Sequence, residues 1–398
     1  MSNTATVHGM SKARVQPDWP ALALDEVRAL LRQFQDCGEP IAILTTSPRP
    51  FSAASVVSTH SGPVFVKRHH RLVRDREGLL EEHRFLAHLY GHGAPVPRLF
   101  SSITGETAIA IGDWTYEVHE APTGVDIYED ALSWTPFLCR AHAGSAGQAL
   151  ARLHRAAESF AAPPRPPRPL VASFTIFADA DPAAGLTRYL QAHPALAQDA
   201  LMQRCGAAAL ELLRPYHARL QPLLPQLPPL WTHNDLHASN ILWSHAGPSA
   251  QAQTIIDFGL ADRTSAVHDI AHAIERNIVE WLEIDQDSAR IDNVPIHLDH
   301  LLALLDGYTS VRPLSDAELS ALAPMAALCH AEFALTEADY FAGVLRSEEN
   351  RRVCVEDYLL ARARWMCGPG GDKLLHALDL WAHAHHPRPT CAALQGEP

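Results

Sequence analysis

The stretch WTHNDLHASNILW at residues 231–243 constrains the fold of this chain more than any other part of the sequence. It places two histidines, two asparagines and one aspartate among apolar side chains that belong in a core. Polar groups inside an apolar stretch cost free energy unless they find hydrogen-bond partners. The fold must therefore anchor this stretch in a core and give its polar side chains partners or a ligand.

The bulk composition fits an acidic protein of two lobes or two domains. The chain has 398 residues, of which 47% are hydrophobic, so it can bury a sizeable core. The formal net charge of −13 argues against a nucleic-acid partner, because such proteins usually present a basic face. The 7 cysteines are scattered and form no CxxC pair, which predicts a reduced, cytoplasmic setting.

The sequence predicts neither export nor membrane insertion. Residues 1–20 lack the apolar segment of a signal peptide, and we find no run of apolar residues long enough for a membrane span. We therefore expect no membrane partner. A monomer and a homodimer are both compatible with the sequence.

The hydrophobic pattern divides the chain into three parts: a flexible N-terminal arm (1–20), an N-terminal lobe (21–121) and a C-terminal lobe (122–398). The N-terminal lobe shows helical spacing at 21–36 and 74–90, β-like runs at 41–46, 54–60 and 63–70, and a hairpin at 107–120. Helical spacing dominates the C-terminal lobe, apart from short strands around the opening stretch and a proline-rich surface loop at 162–170. This pattern predicts an α+β fold.

The polar residues of the opening stretch form a spaced motif, HxDxxxxN, made of His233, Asp235 and Asn240. Downstream of it, Asp257 lies in the run IIDFG. Each piece is common when it stands alone. Their order and spacing are more specific, and they recur with two charged residues upstream.

Those upstream residues are Lys67 at the end of a β-like run and Glu82 on the following helix. The ordered set of strand lysine, helix glutamate, HxDxxxxN and DFG resembles the protein-kinase-like fold and, within it, the aminoglycoside phosphotransferase family. The resemblance covers about residues 40–345, and HNDLHASN and IIDFG are its most specific parts. It implies a two-lobe fold, with a small β-rich N-terminal lobe crossed by one helix and a large, mainly helical C-terminal lobe.

The resemblance implies a phosphotransferase that uses ATP and Mg²⁺. Asp235 would accept or orient the proton of an attacking hydroxyl, and His233 would brace the catalytic loop. Asn240 and Asp257 would bind Mg²⁺, which prefers hard oxygen ligands. Such a set fits phosphoryl transfer, which depends on positioning and charge neutralisation more than on covalent chemistry.

The resemblance also implies a nucleotide site in the N-terminal lobe. Lys67 would neutralise the α- and β-phosphates, and Glu82 would hold Lys67 by an ion pair. Ser52, in the turn FSAASVV, would contact the β- or γ-phosphate, although an ordinary serine-rich turn explains this segment as well. Adenine would bond to backbone groups near His119 and Ala121 in the hinge YEVHEAPTG.

Two departures from the family pattern bear on mechanism and control. Asn234 stands where the family usually has glycine, and asparagine is among the residues that best tolerate a positive φ. Asp269, in the helix after DFG, does match the family pattern, and the resemblance implies that it braces the catalytic loop. The segment between DFG and that helix has only about ten residues, which argues against an activation segment like that of protein kinases.

The acceptor is the least constrained part of the prediction. The acidic stretch 275–292 would suit a small, hydroxylated and cationic acceptor, although a solvated helix face explains it equally. An aminoglycoside-like antibiotic, homoserine, an amino alcohol and a sugar all stay open. Two other functions also stay open: a compact bacterial-type protein Ser/Thr kinase and a non-catalytic nucleotide-binding protein.

Overall fold

The N-terminal lobe is built on an antiparallel sheet in the order β1-β2-β3-β5-β4. The computed structural model describes residue 10, residues 16–283 and residues 294–386. The strands of this sheet are β1 (Pro40–Thr46), β2 (Ala53–Thr59), β3 (Gly62–His70), β4 (Ile109–Ile111) and β5 (Trp114–Glu120). The predicted β-like runs and the hairpin are confirmed, with Gly112 at φ 60 in the hairpin turn.

Two helices accompany this sheet. The first, α1 (Leu24–Leu31), is shorter than predicted, and a 3₁₀ turn at Gln35–Cys37 follows it. The second, α2 (Arg76–Gly91), begins where the carboxylate of Asp75 accepts a hydrogen bond from the Gly78 N–H at 2.8 Å. The buried face of α2 reaches the C-terminal lobe, where Phe85 packs against Trp231 with ring centroids 5.4 Å apart. This helix therefore connects the core of one lobe to the other.

The C-terminal lobe is mainly helical, as predicted. Its helices are α3 (Arg140–Ala157), α4 (Pro182–Ala192), α5 (Pro194–Ala197), α6 (Ala200–Leu220), α7 (Ala266–Ile278), α8 (Leu298–Thr309), α9 (Asp316–Leu328), α10 (His330–Asp339), α11 (Glu348–Val353), α12 (Arg362–Met366) and α13 (Pro369–His385). Short strands form two antiparallel pairs: β6 (Pro229–Thr232) with β9 (Asp262–Ser265), and β7 (Ile241–Trp243) with β8 (Ala252–Ile255). These pairs fix the ends of the two loops that carry HxDxxxxN and DFG.

A long apolar helical stretch, Asp316–Leu345, runs through the C-terminal lobe. It joins α9, α10 and a π-helical segment, Tyr340–Leu345. Its length and composition would allow it to cross a membrane, but 94% of its most apolar window is buried inside the lobe. The stretch is therefore read as a core helix, and its π-helical end lies close to the cleft between the lobes.

The described part of the N-terminal arm makes specific contacts. Trp19 stacks on His70 at the end of β3 with ring centroids 4.5 Å apart. Asp18 donates its backbone N–H to the Pro50 carbonyl at 3.1 Å, and its carboxylate accepts the Tyr340 hydroxyl at 2.8 Å. Because Pro50 and Tyr340 belong to different lobes, Asp18 links the two. Asp18 and Trp19 thus hold this end of the arm against the protein, while the flexible arm over the rest of residues 1–20 stays a prediction.

The docking of this arm should depend on pH through Asp18. Burial raises the pKa of Asp18 from 3.8 to about 6, and the Tyr340 hydrogen bond offsets only part of that rise. The docked arm therefore binds the proton more tightly than a free arm, so docking weakens as the pH rises towards about 6 and then levels off. We expect hydrogen-exchange protection of residues 16–20, corrected for intrinsic rates, to fall between about pH 4 and about pH 6 and to change little above that.

Asp18→Asn provides the control, because its side chain cannot ionise. Its protection should stay constant over the same range. An equal pH dependence in this variant would show that another group controls the arm.

Candidate functional site

A buried carboxylate on α7 holds the backbone of the HxDxxxxN loop. Asp269 on α7 accepts the backbone N–H groups of His233 and Asn234, both at 2.8 Å, and a hydrogen bond from His154 at 2.9 Å. Asn234, which stands where the family usually has glycine, has a φ of 61°, in the left-handed region. The expected bracing by Asp269 and the expected backbone at Asn234 are thus present.

His233 is fully buried and serves the loop through both ring nitrogens. Its Nδ1 accepts the backbone N–H of Asp235 at 3.1 Å. Its Nε2 must then carry the proton, and it donates to the Ile256 carbonyl at 3.0 Å. This places the imidazole between the HxDxxxxN loop and the DFG loop, in the bracing position that the resemblance implies.

Asp235 is paired with an arginine that sequence reasoning missed. Arg276 on α7 donates its Nε–H to the Asp235 Oδ1 at 2.6 Å. The Asn240 amide nitrogen donates to the Asp235 carbonyl at 3.0 Å, which turns the Asn240 Oδ1 to the other side. Burial raises the pKa of Asp235, and the guanidinium of Arg276 limits the rise. The ion pair therefore favours the ionised carboxylate.

Arg276 is itself fixed by a second carboxylate in the core. Glu275 accepts hydrogen bonds from Arg276 at 2.8 Å and from Arg362 at 2.6 Å, and it is 2% exposed. The prediction that Glu275 contributes to an acidic, ligand-facing surface is therefore wrong. Glu280 pairs with His297 at 2.7 Å, while residues 284–292 of that stretch lie outside the described residues.

Lys67 and Asp257 form the ion pair at the centre of the cleft. The Lys67 Nζ donates to the Asp257 Oδ1 at 2.8 Å. Desolvation in the cleft would raise the pKa of Asp257, but Lys67 outweighs it and holds that pKa well below its usual range. Burial would lower the pKa of Lys67, but Asp257, Glu117 and Glu82 together keep it raised. Each group therefore favours the charged form of the other.

The expected ion pair between Lys67 and Glu82 is not formed. Glu82 is 3% exposed, and its nearest cationic partner is Arg74 at 3.9 Å. Asp257, which has a positive φ of 64°, accepts the Lys67 ammonium instead. Glu81, the other glutamate at this point of α2, lies 3.5 Å from Arg165 and 3.9 Å from Arg168 of the 162–170 loop.

A buried network surrounds Glu117 on β5. Its carboxylate lies 3.0 Å from the Nε2 of His69, 2.9 Å from that of His83 and 2.7 Å from that of His119. Burial would raise the pKa of Glu117, but these imidazoles hold it well below its usual range. Glu117 also lies opposite Lys67 in the sheet, so it contributes negative charge behind that lysine.

The two predicted hinge residues, His119 and Ala121, have different surroundings. The backbone of His119 lies between Phe65 of β3 and Leu99, so protein covers both of its sides. Its side chain belongs to the Glu117 network. Ala121 follows the last residue of β5 and is partly exposed, so it remains the hinge position of the prediction.

A cavity of about 80 Å³ between the lobes brings together the main predicted residues. The N-terminal lobe contributes Ser52 and Lys67, and the C-terminal lobe contributes Asp235, Asn240 and Asp257. Sequence reasoning missed several further lining residues, among them Arg49, Arg74, Trp134, Leu170, Phe333 and Glu337. No motif marks them, because they come from turns and helices far apart in the chain.

Backbone strain is concentrated around this cavity. Four residues other than glycine have positive φ here: Trp134 (74°), Leu170 (55°), Asn234 (61°) and Asp257 (64°). A left-handed conformation costs a residue with a Cβ about 1–2 kcal/mol. Such strain persists where surrounding structure imposes it, and it is typical of functional sites.

The loop after DFG is held by arginines. Arg74 donates to the Gly259 and Leu170 carbonyls, and Arg165 donates to the Gly259 and Ala261 carbonyls, both at 3.1 Å. Burial and the nearby Arg165 lower the pKa of Arg74 to about 9. The stretch 162–170 is a loop with Pro163, Pro164, Pro166 and Pro167 exposed, as predicted, but Arg165 is 6% exposed and anchors the loop in the core.

The oxygen donors on the cavity wall fit Mg²⁺. The Asn240 Oδ1 and the Asp257 carboxylate line the same cavity and are the hard ligands that this ion prefers. Lys67 and Ser52 lie on the opposite wall, where they fit the phosphates of a nucleotide.

Comparison with known proteins agrees with this geometry. A family model described as the phosphotransferase enzyme family matches residues 49–314. The chain is 32% identical over 196 residues to a homoserine kinase of Gluconacetobacter diazotrophicus, a match that covers 49% of this chain and 52% of the relative. It is 30% identical over 242 residues to an uncharacterised protein of Deinococcus radiodurans, covering 60% of each. The chain thus spans little more than half the length of the curated relatives it matches.

Solved structures show the same two-lobe fold at low sequence identity. An aminoglycoside phosphotransferase from Alicyclobacillus acidocaldarius is 18% identical with a TM-score of 0.51, and the match covers 94% of this chain and 99% of that one. A microcompartment-associated aminopropanol kinase is 16% identical with a TM-score of 0.53, covering 89% and 98%. An amicoumacin kinase in complex with AMP-PNP and Ca²⁺ is 17% identical with a TM-score of 0.51, covering 86% and 91%. The protein-kinase-like fold is thereby confirmed.

The ion pair between Asp235 and Arg276 should show in stability. Arg276→Met leaves Asp235 buried without its partner, and breaking one side of a buried pair costs about 3–5 kcal/mol. Adding Asp235→Asn removes the stranded charge, so the double variant should recover a large part of that loss. The free energy of unfolding by denaturant, measured for both single variants and the double variant, gives the coupling. Strictly additive losses would show that the pair does not act as a unit.

Proposed function

Because the chain belongs to the phosphotransferase enzyme family, whose model matches residues 49–314, we propose that it transfers the γ-phosphate of ATP to a hydroxyl of a small molecule. The observation that carries this proposal is the meeting of Lys67, Asp235, Asn240 and Asp257 on the walls of one cavity between the lobes. Phosphoryl transfer requires such convergence of a cation, oxygen ligands and a proton acceptor.

Asp235 is the residue that orients the acceptor hydroxyl. Its Oδ1 is occupied by Arg276 at 2.6 Å, which fixes the plane of the carboxylate. The Oδ2 is only weakly engaged, by Asn240 at 3.3 Å and His237 at 3.7 Å, so it is the oxygen that takes the hydroxyl proton. Its pKa, raised by burial and limited by Arg276, suits an acceptor of that proton.

Asn240 and Asp257 hold Mg²⁺, and Lys67 and Ser52 contact the nucleotide phosphates. Bound Mg²⁺ neutralises phosphate charge and aligns the transferred group. Lys67, which bonds to Asp257 in this structure, lies where it can exchange that carboxylate for a phosphate oxygen. That exchange would free the Asp257 carboxylate to serve as a metal ligand. Ala121 provides the hinge contact for adenine, while Glu82 and the Glu117 network support Lys67 from behind.

The family relation supports a small acceptor of one of four kinds: an aminoglycoside-like antibiotic, homoserine, an amino alcohol or a sugar. Relatives and neighbours include a homoserine kinase, an aminopropanol kinase and an amicoumacin kinase. A protein acceptor has less support, because β9 leads from the DFG loop directly into α7 and leaves no docking platform there. A cytoplasmic location fits the free cysteines of the described residues.

Variants of the two aspartates should separate chemistry from nucleotide binding. Asp235→Ala should abolish transfer, by at least about 100-fold, and leave Mg-ATP binding largely intact. Asp257→Ala should weaken both Mg²⁺ dependence and nucleotide binding, because it removes a metal ligand. We would measure ADP release across the acceptor panel and nucleotide binding by calorimetry, with the exposed Asp25→Asn as control. Full turnover in Asp257→Ala would disprove the metal assignment.

A further inference from the structure

Glu337 on α10 is a buried carboxyl group that the proposed chemistry does not use. It is 1% exposed, and it lines the same cavity as Asp235, between Trp134 and Phe333. Its Oε2 has no hydrogen-bond partner among the described residues. Buried polar atoms in native proteins are nearly always paired, so an unpaired carboxyl oxygen in a cavity wall needs a functional account.

The positive charges near Glu337 are already matched by other carboxylates. Arg276 donates to Asp235 and Glu275, and Arg362 donates to Glu275. Lys67, on the other side of the cavity, is bonded to Asp257. Among the described residues, no cationic side chain therefore forms a close ion pair with Glu337.

The surroundings of Glu337 favour its protonated form when nothing is bound. Burial raises its pKa to about 8, Arg276 and Arg362 counteract the rise, and Asp235 and Glu275 add to it. Cys354 and Tyr358, in a second π-helical segment, Cys354–Ala361, also lie near it. A cationic ligand group would shift this balance to the carboxylate, because an ion pair in a desolvated pocket is stronger than one in water.

We propose that Glu337 binds a protonated amino group of the acceptor, so that the site selects hydroxylated molecules that also carry an amine. This inference rests on the proposed phosphotransferase function and deepens it. The acceptor hydroxyl lies at the Asp235 Oδ2, the ammonium group lies at the Glu337 Oε2, and Trp134, Leu170 and Phe333 contact the carbon chain between them. The carboxylate recognises the amine through a charge-assisted hydrogen bond.

Matched acceptor pairs test this assignment. Each pair consists of an amine-bearing alcohol and an analogue without the amine: aminopropanol with butanol, homoserine with hydroxybutanoate, and glucosamine with glucose. We would measure kcat/KM with saturating Mg-ATP for the wild type, Glu337→Gln and the control Glu332→Gln. Glu332 is also a buried carboxyl of α10, but it bonds to the backbone of Thr175 and Ile176 away from the cavity.

The wild type should prefer the amine-bearing member of at least one pair. In Glu337→Gln that preference should fall about 10- to 100-fold, as expected for the loss of a hydrogen bond between charged groups, while kcat/KM for the other member stays within a few-fold. Glu332→Gln should keep the preference even where it lowers thermal stability. An equal loss of preference in both variants would point to a general disturbance of α10 and overturn the assignment to Glu337.

A measurement on the wild type keeps the proposal testable if Glu337→Gln does not fold. Propylammonium should inhibit transfer competitively with the acceptor, and neutral propionamide of similar size should not. Equal inhibition by both compounds, or by neither, would overturn the proposal.

The remaining outcomes separate this inference from the proposed function. Transfer only to acceptors without an amine would refute the role of Glu337 and leave the phosphotransferase function standing. Binding of Mg-ATP without transfer to any acceptor would refute both.

Discussion

The buried carboxylate of Asp269 is the interaction on which the site depends. It accepts two backbone N–H groups of the catalytic loop and a hydrogen bond from His154. Burial would raise the pKa of Asp269, but the hydrogen bonds from His154 and His233 lower it to about 2. The low pKa favours the ionised carboxylate, which holds the left-handed turn at Asn234. Asp235 follows that turn and lines the cavity, so the position of the proposed catalytic residue depends on one buried charge on α7.

The same helix extends this control to the acceptor side of the cleft. Arg276, two turns along α7 from Asp269, pairs with Asp235 and lies over the rings of Trp134 and Phe333, at 4.7 and 4.3 Å. A buried ion pair adds little net free energy to the stability of a fold, because desolvation offsets much of its attraction. Their value here is positional: Asp235 keeps one oxygen fixed and the other directed at the cavity. The charges around Glu337 are balanced by this arrangement, which leaves its carboxyl available to a ligand.

Much of the fold could be predicted from the sequence because local patterns report local structure. The alternation in β2 and β3 and the Gly112 turn mark the N-terminal sheet, and HNDLHASN and IIDFG mark the two loops of the cleft. Prediction failed where a residue's role depends on distant neighbours. The ion pair between Lys67 and Glu82 and the acidic face that included Glu275 are the two examples. Each found partners that lie far away in the chain.

The sequence by itself determined the protein-kinase-like fold and the identity of Lys67, Asp235, Asn240 and Asp257, because these residues occur at spacings that a rigid strand–loop–strand frame preserves. Only the tertiary structure decided what each charge faces. It paired Asp235 with Arg276, turned Lys67 to Asp257, and linked the two lobes through Asp18. It also left the Glu337 Oε2 without a hydrogen-bond partner among the described residues. The physical reason is that electrostatic pairing in a core depends on distance and desolvation, and residues up to hundreds of positions apart set both.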